Sequence, residues 1–241
     1  MVVLTGRDEA MLEWLRTVRF ADSEAVRFAL AGFTDGGDVD RISVRRAQWW
    51  MVRMEKMGLV ERDRLNQNSP YVVWPSFAVT GQRAPTLWGQ TMRHELAVAL
   101  ASGRYLARGY RWTRDRRPVT FQDHQGDGVA IRNGVVDLVE VELTPKMSDR
   151  YRGIFANHAE RLTESTVSRV VYLCTADAAR MVLREADKHL FRDLRPRVVA
   201  LPVFDRHGNW AGDDDAPWAE HLMAPAPARV PAPELWDQGI A

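Results

Sequence analysis

The first 30 residues place apolar positions with the period of a helix. Residues 8–20 predict one helix. A second helix is expected to begin at a cap, Asp22 or Ser23, and to run through about Leu30. The positions that this spacing turns inward are Met11, Leu12, Leu15, Val18, Val26, Ala29 and Leu30. A Gly/Asp-rich loop at 31–40 is expected to follow.

A third helix is predicted between a cap at Ser43 and a stop at Gly58, and its two faces differ in chemistry. The apolar face, expected in the core, consists of Ala47, Trp50, Met51, Met54 and Met57. The opposite face is basic with one aromatic residue, and its members are Arg45, Arg46, Trp49, Arg53 and Lys56. Such a face suits the phosphates and base edges of a major groove.

Two short strands, 59–64 and 70–76, are predicted around a polar tip. Three helices followed by a hairpin, with the third helix basic, is the order of a winged helix-turn-helix, which residues 5–80 therefore resemble. Arg62 and Arg64, on the first strand of the hairpin, join the basic face as candidate DNA contacts. A winged helix that contacts only proteins is the alternative.

The second half of the chain alternates strands and helices. After an amphipathic helix from Gln90 come three strands, then helix, strand, helix and strand. This order predicts an α/β (or α+β) sheet of mixed direction. We expect three regions: a winged helix-turn-helix at 1–82, the sheet domain at 86–205 and a Pro/Ala-rich extended tail at 206–241.

The dipeptide Asn133-Gly134 lies between two apolar strands and predicts a two-residue hairpin turn. In that register Asp127 lies opposite Glu140, and Glu142 follows on the same face. Three carboxylates on one patch require a compensating cation, a raised pKa or a different register. A divalent metal, Mg²⁺ or Mn²⁺, held by Asp127, Glu140 and Glu142, is one solution. A bulge that turns Glu142 away, or a nearby Arg, is another.

The stretch "GDGVAIRNGVVDLVEVELTPK" resembles the PD-(D/E)xK nuclease superfamily. The resemblance implies a restriction-endonuclease-like sheet flanked by helices, with catalytic residues at the open end of its three-stranded meander. The matching residues are Asp127, Glu140, Glu142, Lys146 and, on the preceding helix, Glu95. Lys146 stands four residues after Glu142 and follows Pro145, whereas many members place Lys two residues after the acid. If Lys146 is out of reach, activation of water rests on Glu142 or on the metal.

The whole arrangement is similar to the replication-relaxation family of plasmids, phages and integrative elements. The similarity spans residues 5–190, through the basic winged helix, "HELAVAL", "VEVELTPK" and "VVYLCT". It implies a protein that binds double-stranded DNA for a mobile element. The displaced Lys146 adds the expectation that the nuclease-like domain is inactive. The alternative is a metal-dependent endonuclease or nickase targeted by the winged helix. A homodimer is left open.

Charge supports a polyanionic partner. Residues 41–117 carry fifteen Lys and Arg against five Asp and Glu, or +10, although the whole chain is +1. Apolar runs are too short for a membrane span and the N-terminus does not resemble a signal peptide, so a cytoplasmic protein is expected. The single Cys174 is expected in the core, and the six His, which lack metal-ligand spacing, at packing or surface positions.

Overall fold

A computed structural model of the chain describes residues 3–34, 40–89, 91–120 and 123–212. The protein has a mixed α/β architecture with one three-stranded and one five-stranded sheet. The elements in chain order are α1 (Gly6–Val18), β1 (Ala21–Asp22), α2 (Ser23–Gly32), α3 (Val44–Lys56), β2 (Val60–Arg64), β3 (Tyr71–Pro75), α4 (Phe77–Thr80), α5 (Met92–Ala107), β4 (Arg111–Thr113), β5 (Gly128–Arg132), β6 (Val135–Glu142), α6 (Ser148–Thr163), β7 (Arg169–Cys174), α7 (Ala176–His189) and β8 (Val198–Leu201).

The first three helices match the hydrophobic pattern. Thr5 and Asp8 form a capping box at the start of α1, Asp22 caps α2 and Ser43 caps α3. Gly58 follows α3 with a φ of +70°, a conformation that glycine adopts without strain. The inward positions predicted for α1 and α2 are buried. Of the loop predicted at 31–40, residues 35–39 lie outside the described residues.

The three-stranded sheet has the order β1-β3-β2 and is antiparallel. The hairpin β2–β3 corresponds to the two predicted strands. The short strand β1, at Ala21–Asp22, was not predicted, because two residues are too few to display an alternating pattern. It places the start of α2 beside the hairpin.

The five-stranded sheet has the order β4-β5-β6-β7-β8. Strands β4, β5 and β6 form an antiparallel meander, and β7 and β8 continue the sheet in parallel with β6. Asn133 and Gly134 both have positive φ, 51° and 79°, as a type I′ turn requires. The predicted register is confirmed from Arg132 opposite Val135 to Gly128 opposite Val139.

Strand β6 is central and is covered on both faces. Its residues Val139 and Val141 belong to a core cluster shared with the N-terminal helices and α5. Leu138 belongs to a second cluster formed with α6 and α7. The period of two along the strand therefore directs Glu140 and Glu142 to the α6 side of the sheet.

Helices α2 and α5 pack closely, so the two predicted domains share one core. A Cβ on Gly103 of α5 would lie 2.7 Å from the backbone oxygen of Ala25, and a Cβ on Gly32 would lie 2.4 Å from the carbonyl carbon of Leu106. The indole of Trp14 on α1 also donates to the Ser102 hydroxyl of α5 at 2.9 Å. Glycine on each helix permits this separation because it lacks a side chain.

The described part of the predicted tail, 206–212, is not extended. Phe204 pairs with Trp210 through a β-bridge, and the Asp205 carboxylate accepts from the backbone of His207 and Asn209. The guanidinium of Arg104 stacks on Trp210, 4.0 Å from the ring centre. The Pro/Ala-rich remainder of the predicted tail, from 213, lies outside the described residues. Among those that are described, no helix has the length and apolar character to cross a membrane.

The α2–α5 contact predicts that replacing glycine by alanine has opposite effects on stability at Gly103, inside the contact, and at Gly153, outside it. Gly103→Ala should lower the melting temperature by several degrees, since overpacking costs about 1–3 kcal/mol. Gly153→Ala is the matched control: it lies on the exposed side of α6 with no atom near the added Cβ, and should stabilise by about 0.5–1 kcal/mol. Thermal melts measure both. Equal shifts would contradict the close packing.

Candidate functional site

The predicted catalytic residues gather at the end of β6, where the meander opens. Glu140 and Glu142 are 4% and 5% exposed, so neither carboxylate is freely solvated. Asp127 immediately precedes β5, and Lys146 lies in the segment that connects β6 to α6. Each of the three acids has a different partner, and these partners determine the chemistry of the site.

Glu140 contacts two histidines that were not assigned to the site. Nε2 of His124 lies 2.7 Å from Glu140 Oε1, and Nε2 of His158 lies 3.7 Å from the same oxygen. His158 is fully buried on α6, and its Nε2 is 2.9 Å from the hydroxyl of Tyr172 on β7. Glu140 is therefore surrounded by imidazoles.

Glu142 forms an ion pair with Lys146. Pro145 does not carry Lys146 out of reach of the acids, because the bent segment after β6 places the Lys146 ammonium beside the Glu142 carboxylate. The backbone N–H of Lys146 also donates to the Tyr151 hydroxyl at 3.2 Å, which attaches this segment to α6. The sequence separation of four residues thus puts the two charges in contact without a regular strand between them.

Asp127 does not continue the ladder that was predicted to place it opposite Glu140. Its backbone N–H donates to Val139 at 3.0 Å, so Asp127 and Gly128 both lie against that one residue. One carboxylate oxygen accepts from the backbone N–H of Val141 at 2.7 Å and lies 3.3 Å from Nε2 of His94 on α5. The irregularity at the strand end turns the Asp127 carboxylate toward His94 of α5.

Glu95 contacts Arg19, 3.4 Å away, instead of another acid of the cluster. It still lines a cavity of about 140 Å³ together with His94, Arg114 and Asp127. The residue of α5 that reaches the acids is therefore His94, one position earlier than predicted.

The three histidines were missed because their spacing along the chain is irregular. One signal for His158 was available: it shares a helical stripe with Tyr151, Phe155 and Leu162, all of them buried. His124 lies three residues before Asp127, but a non-helical segment offers no periodicity from which to orient it.

Burial and the neighbouring charges shift the pKa values of this cluster. Burial raises the pKa of Glu140, although His124 acts in the opposite direction. Burial also lowers the pKa of Lys146 and holds the pKa of His158 well below its usual value. For His94, burial acts to lower the pKa, but the hydrogen bond and charge of Asp127 outweigh it and raise the pKa.

These contacts change the argument for a metal at the carboxylates. Asp127, Glu140 and Glu142 were expected to repel one another unless a cation joined them, yet each has its own nitrogen partner. Among the described residues, one set of three or more His, Cys, Asp and Glu side chains brings its potential metal-ligand atoms within 4.8 Å of one another, and it consists of His124, Glu140 and His158. The predicted set of three carboxylates does not form such a group.

The basic face of α3 is the second candidate site. Trp49 is 62% exposed, and the guanidinium of Arg45 lies over its ring at 4.6 Å. Arg46 and Lys56 are also exposed. None of these three cations has an acidic partner in the described part of the chain.

The other predicted DNA contacts have partners within the protein. Arg53 forms an ion pair with the buried Asp8, which also accepts from the indole of Trp50 at 2.9 Å. Arg62 pairs with Glu55 at 2.7 Å. The guanidinium groups of Arg62 and Arg64 both stack on the Tyr71 ring, 4.4 Å and 4.0 Å from its centre. Among the described residues, the predicted DNA contacts without an acidic partner are thus Arg45, Arg46 and Lys56 on α3 and Arg64 on the hairpin.

Comparisons with protein-family models, with curated proteins and with solved structures find no match for this chain.

The Asp127–His94 contact predicts a pH-dependent effect of Asp127→Asn. Asparagine can still accept from Val141 but cannot pair with a charged imidazole. Because the pKa of His94 is raised above 6.5, the pair stabilises fully below that value and is lost as pH rises through the raised pKa. The variant should lose about 0.5–1 kcal/mol near about pH 5.5 and less near about pH 8.5, since His94 is partly exposed.

Chemical denaturation at both pH values measures the difference from the unmodified protein. Asp149→Asn, at a side chain that is 91% exposed, is the control and should show no comparable dependence on pH. An equal loss at both pH values would mean that Asp127 acts only through its hydrogen bond to Val141. A gain in stability would indicate acids that repel one another.

Proposed function

We propose that this protein binds duplex DNA for a mobile genetic element, in plasmid or phage replication, maintenance or transcriptional control. The observation that carries the proposal is the exposed basic face of α3, where Arg45, Arg46 and Lys56 surround Trp49 without acidic partners among the described residues. Cations that lack internal partners remain available to phosphates, and an exposed indole can pack on sugars or base edges.

The order of elements supports a winged helix-turn-helix as the DNA-binding unit. Helix α1, the short strand β1, helices α2 and α3, and the hairpin β2–β3 follow one another in that order. Pairing of β1 with β3 completes a three-stranded sheet beside the helices. In this arrangement α3 is the recognition helix, and the turn between β2 and β3 is the wing.

The sheet topology supports a nuclease-like fold for the second unit. A helix, an antiparallel three-strand meander, a helix and a parallel strand correspond to α5, β4–β5–β6, α6 and β7. This is the core order of the PD-(D/E)xK superfamily that the sequence resembles. Internal pairing of all three acids favours a scaffold without hydrolytic activity, because a metal-binding carboxylate has to give up its internal partner.

DNA binding can be tested with a double variant that leaves the core intact. Arg45→Ala with Lys56→Ala should reduce affinity strongly and lower the slope of log K against log salt by about 0.9 for each phosphate contact removed. Arg53 is left in place because it neutralises the buried Asp8. Fluorescence anisotropy with a duplex, repeated over a salt series, gives both quantities.

Arg152→Ala with Arg180→Ala is the matched control, since it also removes two positive charges. Both side chains are more than 70% exposed, at 72% and 73%, and they lie on α6 and α7. The control should keep the affinity and most of the slope. Equal losses in the two double variants would reduce the proposal to general charge attraction. Sedimentation of the free and bound protein in the same samples tests whether the protein forms a homodimer.

A metal-dependent endonuclease or nickase is the second candidate, and the contact of Lys146 with Glu142 beside Asp127 and Glu140 favours it. Mg²⁺ or Mn²⁺ would be held by the three carboxylates and would supply Lewis-acid activation of a phosphate. Lys146 would orient the water that attacks the phosphate, or would hold the proton that this water gives up. Oxygen-only ligands suit these ions.

Supercoiled plasmid with Mg²⁺ or Mn²⁺ distinguishes the two functions. The scaffold proposal expects no nicking above that of Lys146→Ala. Nicking that disappears in Lys146→Ala and in Glu140→Gln, with folding retained by circular dichroism, would establish the enzyme instead.

A further inference from the structure

Three side chains from separate segments meet on the α6 side of β6. His124 comes from the segment before β5, Glu140 from β6 and His158 from α6. Their ligand atoms all lie within 4.8 Å of one another. Two edges of this triangle are 2.7 Å, from His124 Nε2 to Glu140 Oε1, and 3.7 Å, from His158 Nε2 to the same oxygen.

These edges fit the size of a tetrahedral metal site. With metal–ligand bonds of about 2.0–2.1 Å, neighbouring ligand atoms of a tetrahedron are separated by about 3.3 Å. One edge is somewhat shorter than this and the other somewhat longer. Side-chain movements of about 0.5 Å would bring both edges to the required length.

The chemistry of the set separates it from the three-carboxylate arrangement. Two imidazoles and one carboxylate are typical ligands of Zn²⁺ and other divalent transition metals. Mg²⁺ prefers oxygen ligands and water. The contacts around Glu140 therefore indicate a borderline ion rather than a hard one.

The surroundings of the triangle are suited to an ion. His158 is fully buried, and it is the Nε2 of its ring that faces Glu140. The hydroxyl of Tyr172 lies 2.9 Å from His158 Nε2 and offers a neutral oxygen beside the same position. His124 is 21% exposed, which provides a route from solvent.

We propose that His124, Glu140 and His158 form a binding site for a divalent transition metal, with Zn²⁺ as the ion that fits the set best. Bound there, the ion replaces the hydrogen between His124 and Glu140 and joins the segment before β5 to β6 and α6. Three protein ligands leave a fourth position for water or for the Tyr172 hydroxyl. The site is independent of the proposed DNA-binding face.

The test compares two variants on protein first dialysed against a chelator. Zn²⁺ should raise the melting temperature of the unmodified protein by several degrees, by mass action on the folded state. His124→Asn should abolish this rise, and Asp127→Asn should retain it, because Asp127 contacts His94 and is not one of the three ligands. Because His124 also pairs with the buried Glu140, circular dichroism has to show that the His124→Asn variant stays folded. Co²⁺ provides a second readout through its visible absorption.

A Zn²⁺-induced rise and a Co²⁺ spectrum in the unmodified protein and in Asp127→Asn, both absent from His124→Asn, support the site. Stabilisation that survives His124→Asn but is lost in Asp127→Asn would overturn it in favour of the carboxylates. The absence of any response of the unmodified protein to Zn²⁺ and Co²⁺ would also overturn it.

Discussion

Burial of three carboxylates on one central strand is the constraint around which the sheet domain is organised. Asp137, Glu140 and Glu142 of β6 are each no more than 5% exposed. An ionised carboxylate removed from water is costly unless it is paired and hydrogen-bonded. Each is therefore paired with a nitrogen group from elsewhere in the chain. Asp137 makes a two-point contact with the Arg169 guanidinium of β7, at 2.7 and 2.8 Å. Glu140 contacts the His124 imidazole, and Glu142 contacts the Lys146 ammonium.

The same pairing connects folding to function. Any ion or phosphate that approaches Glu140 or Glu142 must displace the nitrogen group that already contacts that buried carboxylate. Removing one partner of a buried pair leaves an uncompensated charge, so the exchange is favourable only for a ligand that replaces the lost contacts. A transition metal at Glu140 would replace the lost contact, because the His124 imidazole can bind the metal once the proton shared with Glu140 has been released. Mg²⁺ or Mn²⁺ held by Asp127, Glu140 and Glu142 would have to displace a partner at each of the three carboxylates.

Local pattern predicted the regular elements, and long-range contacts determined the site. Asn133-Gly134 fixed the β5–β6 register, and the helical stripes identified the buried faces of α1, α2 and α3. Periodicity ends where a strand ends, so the displaced backbone of Asp127 could not be predicted. Nor could His124 and His158 be paired with Glu140, since that contact depends on how a non-helical segment and α6 pack on the sheet.

A buried charge also shapes the exposed face of α3. Asp8 on α1 takes Arg53 from that face, which leaves cations toward the two ends of the helix, at Arg45 and Lys56. Eleven residues of helix separate these two by about 16 Å along the axis, and the major groove of B-DNA is about 12 Å wide. Under the proposed DNA-binding role, the two ends would meet phosphates on opposite sides of the groove. Trp49 would face the base edges between them, and α1 would hold the helix in place through Asp8.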